Sequence, residues 1–226
     1  MGDVIMDTNL VHEDERIDDL QCRGYHLIQK PQGFCFGVDA VLLSDFGKAK
    51  PGQRVLDLCT GSGCLLLSLM HYKNGCRGVG VDISADALTV ARSNLSRIEG
   101  SGGLNGGSAE FICGDMYEAL AGFDRKYDII ISNPPYIRSS VIPTLMPEVR
   151  DHDPLIALDG GDDGLIFYRR IAEGAPQHLA RDGRIFLEIG YDQAEDVARI
   201  FSAAGFKDIN IVKDYSGNDR VIVLKG

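Results

Sequence analysis

The run Asn133-Pro-Pro-Tyr136 combines residue types that could bind an NH2 group. Prolines lack a backbone N–H, so Pro134 and Pro135 end a strand and fix the Pro134 carbonyl in a rigid turn. That carbonyl and the Asn133 carboxamide oxygen can then accept hydrogen bonds from one nitrogen. Tyr136 offers a flat face on which a planar group can stack. We predict that these four residues form a catalytic turn; a strand terminator with an aromatic plug is the structural alternative.

A second run, Asp57-Leu-Cys-Thr-Gly61-Ser-Gly63, is typical of a turn that binds a cofactor. Its glycines allow a sharp backbone turn and a close approach to helix N–H groups. Asp82 ends the next strand-like run, where a carboxylate can accept hydrogen bonds from ribose hydroxyls. This pairing predicts an adenosine-containing cofactor. NAD is disfavoured because the third glycine of its fingerprint is replaced by Leu66, and a purely structural turn is the other alternative.

Asp115 and Met116 follow a third strand-like run. Asp115 could accept a hydrogen bond from an adenine amino group while Met116 covers the ring; a helix cap and a core side chain are equally compatible. The predicted cofactor-binding residues are Asp57, Cys59, Thr60, Gly61, Ser62, Gly63, Asp82, Ile83, Asp115, Met116 and Asn133.

The elements that must position these residues are short β-rich runs alternating with helical patterns from Arg54 onward. Such alternation predicts an α/β fold, with a parallel sheet covered by helices. The strand-like runs are 54–58, 78–82, 110–113, 127–131 and 184–189, and the helical patterns are 64–72, 85–98, 165–180 and 194–204. Two closing runs, 209–213 and 220–224, flank a turn-rich connection and predict an antiparallel hairpin.

The formal net charge of −10 is concentrated in two segments. Residues 1–20 carry a net −6 and residues 151–163 a net −5, so the rest of the chain is nearly neutral. This charge disfavours a protein whose whole surface binds nucleic-acid phosphates. We expect residues 1–20 to form an acidic flexible arm, 21–50 a flap or cap segment, and 51–226 the catalytic domain.

Six cysteines show no Cys-x-x-Cys pair and no histidine at zinc-ligand spacing, so we expect no metal. No apolar run is long enough to cross a membrane, and the acidic N-terminus is unlike a secretory signal. These features favour reduced thiols and a cytoplasmic location.

Together, Asp57, Gly61-Ser-Gly63, Asp82, Gly114-Asp115 and Asn133–Tyr136 resemble class I S-adenosylmethionine (SAM)-dependent methyltransferases that act on nitrogen. Over residues 52–226 the chain is similar to the HemK/PrmC family. That closer similarity is carried by Asn133-Pro-Pro-Tyr-Ile137, Glu148-Val-Arg150, Pro154–Leu158, Gly160–Leu165, Tyr168-Arg169, Glu188-Ile-Gly190, Gln193 and Lys213–Arg220.

The resemblance implies a Rossmann-like, mostly parallel seven-stranded sheet with helices on both faces and a C-terminal antiparallel hairpin. It implies SAM as cofactor, S-adenosylhomocysteine as product, and a glutamine side-chain amide of a peptide chain release factor as substrate. In the family's usual cofactor loop the first residue is a glycine, which Cys59 replaces here.

Residues 16–44 depart from that family, whose bacterial members usually begin with a helical substrate-recognition domain. Arg16–Gln21 and Gly33–Ser44 instead resemble bacterial tRNA adenine-N6 methyltransferases. Methylation of tRNA, or of another nucleic acid, is therefore an alternative, and a catalytically silent SAM-binding protein is a third. The acidic run 151–163 favours a protein substrate, because it follows the predicted catalytic turn and would repel phosphates.

Overall fold

The computed structural model describes residues 16–19, 26–29, 49–72, 75–100, 103–104, 106–214 and 216–226. Strands β1 (Arg16–Asp19) and β2 (His26–Gln29) pair antiparallel as a separate two-stranded sheet. This pair crosses the boundary predicted at residue 20. The remainder of the predicted arm and nearly all of the predicted flap lie outside the described residues.

The main sheet has seven strands and confirms the predicted fold class. Its strands are β3 (Arg54–Leu58), β4 (Arg77–Asp82), β5 (Ser108–Cys113), β6 (Tyr127–Ser132), β7 (Leu179–Glu188), β8 (Asp208–Lys213) and β9 (Asp219–Lys225). They are ordered β5-β4-β3-β6-β7-β9-β8. The first five in this order are parallel, while β9 pairs antiparallel with both β7 and β8. The predicted C-terminal hairpin is therefore present.

Helices cover both faces of this sheet. They are α1 (Cys64–Tyr72), α2 (Ala85–Gly100), the short α3 (Pro147–Arg150) and α4 (Leu155–Leu158), α5 (Ile166–His178) and α6 (Ala194–Ala203). One apolar layer packs α1 and α2 against side chains such as Val55 and Ile131; the other packs α5 and α6 against Leu56 and Ile130. Neighbouring residues of one strand thus enter opposite layers, which explains why these strands are apolar throughout. None of the described helices is long and apolar enough to span a bilayer.

One predicted boundary is wrong. The helix predicted over 165–180 ends at His178, because Leu179 already pairs with Tyr127 and begins β7. The buried Leu179 side chain joins the core, so tertiary packing overrides the helical pattern there.

Parallel strands give the sheet two distinct ends. We call the "carboxyl end" the one where β3, β4, β5 and β6 finish, and the "amino end" the one where they start. Asp82 and Ser132 finish strands at the carboxyl end, whereas Arg54 and Arg77 start strands at the amino end. In open α/β sheets, ligands bind outside the carboxyl ends of the strands, which is where all of the predicted site residues lie.

Candidate active site

The turn between β3 and α1 is held by backbone and side-chain hydrogen bonds. The Thr60 hydroxyl donates to Asp57 Oδ2 (2.6 Å), and the Thr60 N–H donates to the Val81 carbonyl (3.0 Å). Gly63 has a φ of +75°, and a Cβ there would lie 2.8 Å from the Phe111 ring. Only glycine therefore fits at position 63, where α1 comes close to the sheet.

Asp82 ties this turn to the following loop. Its Oδ2 accepts from the Gly61 N–H and its Oδ1 from the Ser84 N–H, both at 2.8 Å. The Ser84 hydroxyl in turn accepts from the Ala87 N–H (3.2 Å) and so caps the first turn of α2. Because each carboxylate oxygen has two lone pairs, Asp82 can still accept further hydrogen bonds from a ligand.

Asp57 is fully buried beneath the turn. Burial raises the pKa of its carboxyl group to about 7; the Thr60 hydrogen bond acts in the opposite direction, and the Asp82 charge raises the pKa further. Within the described residues, Asp57 Oδ2 is hydrogen-bonded but Oδ1 has no hydrogen-bond partner. The site thus contains a buried acceptor beside the predicted cofactor turn, and this acceptor favours a positively charged or donating neighbour.

Two other residues of the predicted cofactor site have strained backbones. Cys59 has a φ of +56° and Met116 a φ of +47°, in the left-handed region that non-glycine residues rarely adopt. The family's glycine at position 59 would adopt this angle without strain, so the replacement has a conformational cost. Strain of this kind concentrates at ligand sites, where the surrounding structure maintains it.

The run Asn133–Tyr136 leaves the sheet at the carboxyl end of β6. The Ser132 hydroxyl donates to the Leu58 carbonyl (2.6 Å), and the Tyr136 hydroxyl donates to Glu188 Oε1 (3.1 Å). Between these anchors, Asn133 is exposed, and its carboxamide makes no hydrogen bond with any described residue. The turn therefore presents a free amide on a fixed backbone.

A glycine-rich segment packs against the back of this turn. A Cβ on Gly160 would lie 2.8 Å from Tyr136 Cα, and one on Gly164 would lie 2.5 Å from the Tyr136 carbonyl oxygen. The buried Gln193 side chain donates through Nε2 to the carbonyls of Tyr136 (3.0 Å) and Gly164 (3.2 Å). Gly160, Gly164 and Gln193 lie far from this turn in the sequence, yet all three contact Tyr136. Their shared role is to hold the turn in place.

A cavity of about 590 Å³ opens at this end of the sheet. Eight predicted cofactor-binding residues line it: Cys59, Gly61, Ser62, Asp82, Ile83, Asp115, Met116 and Asn133. Pro135 of the predicted catalytic turn lines it as well. Asp57, Thr60 and Gly63 do not; they are buried and support the turn from below. Pro134 and Tyr136 are also absent from its walls. The ligand-binding roles of all the predicted site residues stay predictions.

Charged side chains around the cavity are mostly acidic. Asp82, Asp86 and Asp115 line it, and Asp115 forms an ion pair with Arg170 (2.9 Å). Asp115 precedes a 3-10 helix at Met116–Leu120, but its side chain makes no capping hydrogen bond. The carboxylate thus remains at the wall of the cavity. In the part of the chain that the structure describes, no His, Cys, Asp and Glu side chains cluster in a group that could hold a metal ion.

The acidic run 151–163 lies beside the same cavity, whose wall includes Pro154 and Ile156. Part of its charge is used internally: Asp159 accepts from the Ser139 hydroxyl and the Gly161 N–H, and Asp163 pairs with Arg169. The predicted repulsion of phosphates therefore rests on fewer free carboxylates than the sequence suggests.

The predicted site omits seven apolar wall residues, which are Val81, Ala87, Val90, Pro154, Ile156, Ala157 and Phe167. Residues 154–158 entered the sequence-based prediction only as part of the similarity to the HemK/PrmC family. The apolar run Leu155–Leu158 reads as core in the sequence, but Ile156 is 54% exposed at the cavity wall. That exposure depends on the fold, so no signal in the sequence identifies this wall.

The chain is similar to known methyltransferases in sequence and in fold. A profile of the family described as "Methyltransferase small domain" matches residues 36–146. The chain is 45% identical over 192 residues to the release factor glutamine methyltransferase of Agrobacterium fabrum, and 44% identical over 186 residues to that of Caulobacter vibrioides. These matches cover 83% and 81% of this chain but only 63% and 62% of the relatives. The chain therefore spans less than two thirds of the length of these relatives.

The crystal structure of a methyltransferase from Pyrococcus furiosus supports the fold alone. It superposes with a TM-score of 0.59 at 16% identity, covering 87% of this chain and 83% of that one.

Proposed function

The chain belongs to the release factor glutamine methyltransferase (HemK/PrmC) family, and we propose that it transfers a methyl group from SAM to the side-chain amide nitrogen of a glutamine in a peptide chain release factor. The observation that carries this proposal is the Asn133 carboxamide, which bonds to no described residue and is exposed at the wall of the carboxyl-end cavity on a turn fixed from behind. The relatives' printed names supply the substrate class.

The residues of the cavity fit SAM. Asp82 has lone pairs left for ribose hydroxyls, and the apolar side chains of Ile83 and Met116 could enclose an adenine ring. Asp57 is buried beneath the cavity and supports the cofactor turn through its hydrogen bond with Thr60. When bound, SAM supplies a methyl group on a positively charged sulfur.

The chain's own contribution to transfer is positioning. An amide nitrogen is a poor nucleophile because its lone pair is delocalised. The Asn133 carboxamide oxygen and the Pro134 carbonyl would accept hydrogen bonds from the two N–H groups of the substrate amide, orient its lone pair and favour positive charge developing on nitrogen. Orientation of this kind is worth about 7–11 kcal/mol in well-aligned reactions. The methylated nitrogen is acidic enough to release its proton to water, so we assign no general base.

A transfer assay with two substrates in parallel tests the proposal. The full chain is incubated with tritiated SAM and either purified release factor or bulk tRNA. We expect label in the release factor, on the glutamine amide. Label in tRNA alone, or in neither substrate, would overturn the proposed function.

The cofactor assignment has its own test by calorimetry. Asp82→Ala removes the acceptor shared by Gly61 and Ser84, so we expect SAM to bind at least about tenfold more weakly, the loss typical of a charged hydrogen bond. Asp208→Ala, at the start of the edge strand β8, is the matched control and should leave the Kd unchanged. Equal affinity of Asp82→Ala and the unmodified chain would refute the ribose assignment.

A further inference from the structure

A second groove, of about 580 Å³, lies at the amino end of the sheet. It is formed where β3, β4, β5 and β6 start, so the full length of these strands separates it from the carboxyl-end cavity. Its charged and polar wall residues are Arg54, Arg77, Ser108, Glu110, Arg125 and Tyr127. We call it the "arginine groove".

The arginine groove carries positive charge that its own residues do not neutralise. Arg125 pairs with Glu110 (2.6 Å). The exposed side chains of Arg54 and Arg77 have no carboxylate partner within the described residues. Asp128 is nearby and accepts from the Arg54 backbone N–H through Oδ2 (2.8 Å), but within the described residues it forms no ion pair with either guanidinium group. Two guanidinium groups are therefore left to bind an anion.

A buried hydroxyl, that of Tyr127, belongs to the wall of the same groove. Tyr127 is only 1% exposed, and its hydroxyl has no hydrogen-bond partner in the part of the chain that the structure describes. Burial raises the pKa of this phenol, whereas the charges of Arg125 and Arg54 lower it and that of Glu110 raises it. The hydroxyl is thus within electrostatic reach of the arginines, and a buried polar group left unpaired is unusual enough to require an explanation.

We propose that the arginine groove binds a small phosphate monoester, with Arg54 and Arg77 contacting the phosphate oxygens and the Tyr127 hydroxyl donating to the ligand. Guanidinium groups match the geometry of phosphate through paired N–H donors. The volume lies within the range of small-molecule sites. The volume fits one small ligand, and a long polyanion would have to leave most of its phosphates outside the groove.

This site is independent of the proposed methyl transfer. It shares no residue with the carboxyl-end cavity, so either site can be removed without touching the other.

The test is calorimetric titration of the full chain with inorganic phosphate, with ribose 5-phosphate and with a single-stranded oligonucleotide. The two small ligands lack the adenine and sulfonium groups of SAM, and Arg77→Gln, which lies outside the carboxyl-end cavity, shows whether their binding belongs to the arginine groove. We expect saturable binding of ribose 5-phosphate with a Kd in the millimolar range or tighter. Arg77→Gln should weaken this binding at least about tenfold. Arg199→Gln removes an equally exposed charge on α6 and should leave it unchanged.

Tyr127→Phe separates a binding role from a structural one. We expect it to weaken ribose 5-phosphate binding roughly threefold to tenfold, the worth of one hydrogen bond. Because it also removes a buried unpaired hydroxyl, it should raise the Tm of the ligand-free protein by about 2–4 °C.

Three results would overturn the proposal. The first is the absence of saturable binding of either small phosphate. The second is ribose 5-phosphate binding that is unaffected by Arg77→Gln. The third is binding of the oligonucleotide alone, with a steep dependence on salt, which would assign the groove to a polynucleotide instead.

Discussion

The two ends of the main sheet differ in charge and in backbone strain. At the carboxyl end, the cavity is lined by Asp82, Asp86 and Asp115. Two of the three described non-glycine residues with positive φ, Cys59 and Met116, also lie there. At the amino end, the groove is lined by arginines, and none of its wall residues has a positive φ outside glycine.

One sheet can therefore carry two sites of opposite charge, one at each end. The acidic carboxyl end suits a cationic cofactor and needs an irregular backbone to approach it closely. The amino end is built from regular strand starts, so its side chains alone determine what it binds. The net charge of the whole chain describes neither end.

The largest expected effect is at the carboxyl end, from Asn133→Ala. Removing the carboxamide that orients the substrate nitrogen should lower kcat about 10²–10³-fold, as when one positioned hydrogen-bonding group is lost. The Kd for SAM should stay close to that of the unmodified chain. The amino-end variant Arg77→Gln should keep full turnover. Steady-state assays with tritiated SAM measure both, and wild-type turnover by Asn133→Ala would contradict the assigned role.

Gly164→Ala tests the support of the catalytic turn. Its φ is +74°, and a Cβ would lie 2.5 Å from the Tyr136 carbonyl oxygen, so the turn must move. We expect kcat to fall up to about 10²-fold, the cost of a small misplacement of reacting groups.

Gly217→Ala is the matched control for this variant. Its φ of +86° gives it similar backbone strain, but no atom lies within 4 Å of its Cβ position. It should lose stability in chemical denaturation without losing kcat. Equal kcat values for the two variants would show that the contact with Tyr136 has no effect on transfer.

Asp57 should make stability depend on pH. Its pKa rises from 3.8 in the unfolded chain to about 7 in the folded protein, so the folded state holds the proton over this window. The free energy of unfolding should therefore fall as pH rises from about 4 to 7, by about 3 kcal/mol, and level off above that.

Two asparagine variants isolate this contribution in urea titrations at several pH values. Asp57→Asn should remove most of the fall in the free energy of unfolding with rising pH. Asp128→Asn, at the amino end, should keep it. If the free energy of unfolding of Asp57→Asn still falls with rising pH, a group other than Asp57 takes up the proton in the folded state.

The smallest expected effect is relief of strain by Cys59→Gly. Glycine adopts the observed φ of +56° freely, so this variant should gain about 1 kcal/mol of stability. Asp182→Gly, near the start of β7, has a φ of +61° and should gain less, because Asp tolerates this region better. Thermal unfolding measures both changes. A loss of stability in Cys59→Gly would show that thiol packing outweighs backbone strain.

The sequence predicted the parts of the molecule that depend on local patterns. Apolar runs that end in Asp57 and Asp82 identified the central strands, and the turn Asn133–Tyr136 was recognisable from its prolines. The contacts that hold that turn were not predictable, because Gln193 reaches Tyr136 across 57 positions in the chain. The left-handed backbone of Cys59 was also hidden, since residue type alone suggests an ordinary angle there.

The arginine groove was missed for a related reason. Arg54, Arg77 and Arg125 are separated in sequence, and each looks like a solvated charge at the start of a strand. Only the parallel register brings these strand starts together. Side chains that meet through topology leave no motif in the sequence.

The most direct test of the central claim is mass spectrometry of the release factor after incubation with SAM and the full chain. We expect one added methyl group, located on the side-chain amide of a glutamine, formed at least about 10²-fold more slowly by Asn133→Ala. An unmodified glutamine in the presence of active, SAM-binding protein would contradict it.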